Sequence, residues 1–126
     1  MRWPVRGDDG ALSLSYVIVF PAFLLAIMII VQASLYYMAH NLALAAAREG
    51  ADVARAYGSN DESGADAALT MISKDGSGML ANPQVVATRS AVTVQVTVTG
   101  HAWSIVPGLP TAVSETVQEP VERFVP

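Results

Sequence analysis

The feature that most constrains this chain is a run of 21 residues, Ala11 to Val31, without a single charged side chain. At the ~1.5 Å rise of an α-helix, such a run spans about 30 Å, the thickness of a bilayer's hydrocarbon core. The uncharged interval is wider still, because 38 positions separate Asp9 from Arg48. A domain of this size offers too little interior to bury that run, so it reads as a membrane-spanning helix. Lipid bilayer is therefore the first partner that the sequence implies. A cleaved secretory signal is the competing reading, although its apolar region should be about 7–15 residues long with a small-residue cleavage site close behind. Here Gln32 to Met38 follows instead, with Tyr36 and Tyr37 suited to headgroup level.

Orientation follows from the cations. Arg2 and Arg6 precede the run, whereas the first cation beyond it is Arg48. This bias predicts a cytoplasmic N-terminus and an exported remainder. The expected organisation is a cytoplasmic leader over 1–10, a transmembrane helix over 11–38 and an extracytoplasmic domain over 39–126. That domain would begin with the continued helix to about residue 57. Pro4, Gly7 and Gly10 should keep the leader from being helical. Pro21 inside the run is tolerated in a membrane, with a bend expected near Val17.

Beyond the run, the segment from Ala39 to Tyr57 is rich in alanine, the best helix former, and Gly58 follows as a C-terminal stop. Asp52 and Arg55 are spaced for an i,i+3 ion pair. Gly50 costs the helix about 1 kcal/mol against alanine, yet allows a packed element to approach closely. Residues 58–64 have loop composition, and Ala65 to Ser73 carries apolar residues at helical spacing. Ala91 to Thr99 alternates valine with threonine or glutamine, the signature of a half-buried strand. Val85 to Thr88 should pair with it. Thr111 to Glu119 is a third strand in which Glu115 interrupts the Val113/Val117 face, and the proline-bounded ending should be irregular. The fold class is thus α+β: a lollipop with a long N-terminal helix, a short second helix and a small antiparallel sheet. No cysteine is present to staple the domain, so the outer half of the long helix should lend it an apolar face.

Charge and motif content narrow the function. Acidic groups outnumber basic ones by 11 to 7 with no basic stripe, which argues against nucleic-acid binding. His40 and His101 lack a neighbouring carboxylate cluster and read as interfacial or surface residues. Asp8 and Asp9 read as solvated charges, and Asp61, Glu62 and Asp66 as acids favouring a helix start. Neither a phosphate loop nor a nucleophile elbow nor an HExxH motif occurs, so no enzyme, cofactor, metal or small-molecule substrate is indicated. The two-proline loop over 104–110 carries Ile105, Val106 and Leu109. They either plug the edge of the sheet or dock onto a partner.

Four stretches in order resemble the TadE-like family of minor pseudopilins, which serve tight-adherence pili, a branch related to type IV pili. These are RGDDGALSLSYVIVFPAFLLAIMIIV, the alanine-rich ALAAAREGADVARA, the strand AVTVQVTVTG and the closing IVPGLPTAVSETVQEPVE. The resemblance implies a non-enzymatic, single-pass protein that helps assemble a pilus or related secretion apparatus, with other pseudopilins or pilus-assembly membrane proteins as partners. It also implies processing between Gly10 and Ala11. Pilin-like proteins usually carry glutamate five residues after the processing glycine; here that position is Ser15, which cannot neutralise a neighbour's ammonium group. An assembly role is accordingly favoured over that of a structural subunit. Ser13, Ser15, Ala22, Ala26 and Ala33 are the small residues expected to permit helix–helix contact. The alternative, from a different class, is a membrane-tethered extracytoplasmic binding module unrelated to pili.

Overall fold

A computed structural model describes residues 6–76 and 78–123, with side chains described from Ser13 onward. Arg2, Pro4, Ser77 and the last three residues of the proline-bounded ending lie outside the described residues. The chain folds as α1 (Arg6–Arg55), α2 (Asp61–Asp75), β1 (Ala81–Arg89), β2 (Thr93–His101) and β3 (Ala112–Pro120). This is the expected α+β, pilin-like lollipop.

Helix α1 is 50 residues long, about 75 Å at the standard rise. It begins at Arg6, so Gly7 and Gly10 lie inside it, contrary to the expected break. Each glycine weakens this end by about 1 kcal/mol, but the costly nucleation step is already met by the long run that follows. The helix also passes through Pro21 as one element. It stops at Arg55, close to the expected Tyr57, and Gly58 takes a φ of 81° that suits glycine.

Helix α2 starts earlier than its apolar spacing suggests. Asn60 is its N-cap, its side chain accepting from the Ser63 amide at 2.8 Å. Asp61 and Glu62 therefore fall in the first turn, where the helix dipole favours them. This is the helix-start role expected of these acids, although residues 58–64 have loop composition.

The three strands form an antiparallel meander in the order β1-β2-β3. Strand β1 is longer than expected because Pro83 is accommodated at its start. β1 is an edge strand, and its register shifts between Ala81 and Gln84. An edge bulge of this kind is where a residue lacking an N–H can sit. On β2, Val94, Val96 and Val98 point inward and are fully buried. Thr97 faces Thr116 on the outer side, their hydroxyls 2.9 Å apart.

The core lies between this sheet and the outer half of α1, with α2 beside it. Its helical side is made almost entirely of small residues: Ala39, Ala43, Ala46, Ala47, Ala51 and Ala54 are all buried. That smooth face allows close packing. A Cβ at Gly50 would lie 2.8 Å from the Gly64 carbonyl oxygen and 3.2 Å from Val96, so Gly50 admits both α2 and the sheet. From Ser13 to Val31, by contrast, every residue of α1 is exposed.

Candidate functional site

The junction between the exposed and packed halves of α1 is built from a row of polar side chains. Gln32, Tyr36 and His40 stand four residues apart, on one helical face. Gln32 is only 2% exposed. Its Nε2 donates to the Trp103 carbonyl at 2.8 Å, and its Oε1 accepts from the amides of Ile105 at 2.7 Å and Val106 at 3.3 Å. One side chain thus satisfies three peptide groups in the loop that leaves β2. One turn farther along, the Tyr36 hydroxyl donates to the Ala112 carbonyl at 3.3 Å. Another turn on, His40 Nδ1 lies 2.6 Å from Glu115 Oε1. At the far end the Glu122 amide donates to the Arg55 carbonyl at 2.9 Å, and the Arg55 guanidinium is 3.6 Å from the Glu122 carboxylate. Arg55 also contacts Asp52 at 3.1 Å, the expected i,i+3 pair. Attachment points advance together on both elements, so β3 runs alongside α1 and away from the apolar half.

His40 is partly exposed, as an interfacial or surface residue should be, and has one carboxylate partner, Glu115, that the sequence did not indicate. Glu115 occupies an inward position of β3, between Val113 and Val117, because α1 presents a polar partner there. Both residues were visible as oddities: a polar i,i+4,i+8 row in an apolar helix, and an acid on an apolar strand face. What the sequence lacked was the register that joins them. His101 has a more modest setting, with Nδ1 3.4 Å from the Thr111 hydroxyl. Among the described residues no group of three histidine, cysteine or carboxylate side chains is placed to hold a metal ion.

The proline loop is strapped to α1 through Gln32, because its peptide groups need partners where the chain leaves the β2–β3 ladder. On one side of the strap, Leu109 and Pro110 meet Ile29, Ala33 and Tyr36 in an open, mainly apolar groove of about 390 Å³. The structure thereby brings together Ala33 and Leu109, two residues singled out for different reasons. Ile105 and Val106 lie next to them in the strap, their amides turned to Gln32. On the other side, Trp103 and Met79 meet Leu35 and Met38 around Gly78.

Ser13, Ser15, Ala22 and Ala26 lie on the exposed half of α1, away from the domain. At 100° per residue, Ser15, Ala22, Ala26 and Ala33 share a sector about 40° wide, and Ser13 projects from the opposite side. The backbone of Gly10 and Ala11 is helical.

Residues 10–52 match the model of a family described as TadE-like protein. The matched segment takes in the exposed half of α1, the Gln32–Tyr36–His40 row and the alanine face as far as Asp52, and excludes the sheet. Neither a curated protein nor a solved structure matches the chain.

Proposed function

We propose, because residues 10–52 match the model of the TadE-like protein family, that the chain is a membrane-anchored, pseudopilin-like protein assisting assembly of a tight-adherence pilus or related secretion apparatus. The observation that carries this reading is the absence of intramolecular cover on α1: from Ser13 to Val31 the helix is exposed throughout. It is long and apolar enough to cross a membrane. Its large side chains, among them Phe20, Phe23 and Ile30, require lipid or other helices around them.

In the proposed arrangement residues 1–10 are cytoplasmic, 11–38 cross the bilayer and 39–126 lie outside the cytoplasm, as the placement of Arg2 and Arg6 favours. Ser15, Ala22, Ala26 and Ala33 form the face along which a neighbouring helix approaches, since small side chains let backbones come close. Ser13 meets a second neighbour on the opposite side. The first helix would end its contact at the Ala33 groove, against Leu109. Ile105 and Val106 complete the docking loop. Processing, where it occurs, cuts between Gly10 and Ala11; unwinding that end is inexpensive, since each glycine lowers helix stability by about 1 kcal/mol. The role is mechanical rather than enzymatic.

Replacing Ala22 and Ala26 together by leucine tests the helix-contact mechanism. The variant should accumulate in the membrane at the wild-type level while cells lose their pili. Normal piliation with this variant would remove the helix face from the account.

A further inference from the structure

We propose that the recess formed by Trp103, Met79, Leu35 and Met38 is seated in the headgroup region of the bilayer, so that the domain rests on the membrane through two sheet loops as well as through its helix. The proposal rests on the reading of α1 as a membrane anchor and adds a second, separate lipid contact.

Height is the first argument. The Trp103 carbonyl accepts from Gln32 Nε2 at 2.8 Å, and Gln32 directly follows Val31, the last residue of the apolar run. Trp103 is therefore tied to the level at which the hydrocarbon core ends. Met38, on the same recess, lies about 9 Å farther along the helix axis. The band between is comparable to the interfacial layer, about 5–8 Å on each side of the core.

Chemistry is the second. Trp103 is 58% exposed and Met79 39%, a large apolar outlay for a surface facing water. Tryptophan is enriched at membrane interfaces, where its ring meets acyl chains and its N–H meets headgroups. The two loops, residues 76–80 and 102–111, contain no Asp, Glu, Lys or Arg. Most other charges lie farther along, at Arg48, Glu49, Asp52 and Arg55 on α1 and at Asp61 and Glu62 at the start of α2, while Lys74 and Asp75 border the first loop at the level of Leu42, which meets Gly76 beyond Met38. That partition suits a domain with one end against lipid and the other in water.

Position identifies the occupant. Leu35 and Met38 project from α1 roughly opposite the Ser15–Ala22–Ala26–Ala33 sector at 100° per residue, so a helix lying on that sector leaves the recess uncovered, and a neighbour at Ser13 meets this side of α1 about 33 Å lower. The recess is continuous with the exposed apolar surface of α1 below it, the surface that lipid covers.

The test uses the full chain in phosphatidylcholine–phosphatidylglycerol vesicles. The protein has two tryptophans, so Trp3→Phe leaves Trp103 as the sole emitter. Its fluorescence should be blue-shifted, poorly quenched by acrylamide and quenched most by lipids brominated near the headgroup end of the acyl chains. Emission of a solvated indole, open to acrylamide and indifferent to bromine position, would overturn the proposal. Shielding that fades as the protein is diluted in lipid would mean a second copy covers the recess, and would also overturn it. A companion chain carrying Trp3→Phe, Trp103→Phe and Phe20→Trp reports on the span. Quenching of that chain by deep bromines, without shallow quenching of Trp103, refutes the interfacial seat alone. No bromine quenching of either chain refutes the anchor and the seat together.

Discussion

Replacing Gln32 with methionine should loosen the proline loop without unfolding the domain. Methionine keeps the volume and flexibility of the side chain, so packing changes little, but it can neither accept from the Ile105 and Val106 amides nor donate to the Trp103 carbonyl. Two of these bonds, at 2.7 and 2.8 Å, are short, and each contributes about 0.5–1.5 kcal/mol net. The peptide groups left behind cost about 1–3 kcal/mol each where water cannot reach them. The loop is half-exposed, so water relieves part of that penalty, and a loss of about 2 kcal/mol is expected for the strap. At 1.4 kcal/mol per factor of ten, this is roughly a 30-fold fall in protection. Amide hydrogen exchange, measured in lipid nanodiscs, reads it directly at Ile105. Protection of Val94, Val96 and Val98 should hold, because the alanine face supports them independently of Gln32. Unchanged exchange at Ile105 would refute the strap, and an equal loss across the β2 valines would refute its local character.

Other substitutions probe the packing. Gly64→Ala should lower the melting temperature: the new Cβ would sit 2.6 Å from both the Gly50 carbonyl oxygen and the Ala54 Cβ. Separating the two helices costs about 1–3 kcal/mol, more than the ~1 kcal/mol that alanine adds to helix propensity; an unchanged or higher melting temperature would contradict the close approach. Asn60→Ala removes the cap on the Ser63 amide and should destabilise the domain by about 1 kcal/mol, measured by denaturant unfolding in detergent. A double-mutant cycle on His40→Ala and Glu115→Ala should give a coupling of about 0.2–1 kcal/mol, since both side chains are partly solvated; zero coupling would mean that the pair does not fasten β3 to α1.

Periodicity carried the architecture into view. The uncharged run, the alternating valines of β2 and the glycine after the alanine-rich segment placed α1, the central strand and the helix end within a few residues. The alanines themselves had a second meaning that propensity does not express. They make the apolar face expected of the outer helix, and the packed structure shows that its small residues let the sheet and α2 approach closely. Boundaries failed where a local rule was outweighed: Gly7 and Gly10 by the helix already formed beyond them, Pro83 by an edge bulge, and the loop composition of 58–64 by the Asn60 cap. The site was least legible at Gln32. A glutamine ending an apolar run looks interfacial from sequence, and its partners lie more than 70 residues away, in a loop whose unpaired peptide groups are invisible without the sheet register. Glu115 announced itself as an exception on its strand, yet the identity of its partner depended on the same register.

The central claim is that this anchored chain serves pilus assembly, and deletion of its gene with complementation tests it most directly. Pili counted by electron microscopy on cells of normal membrane integrity should disappear in the deletion and return when the full-length chain is restored. Deletion cells that remain normally piliated would contradict the account and leave a tethered extracytoplasmic binding module as the better reading.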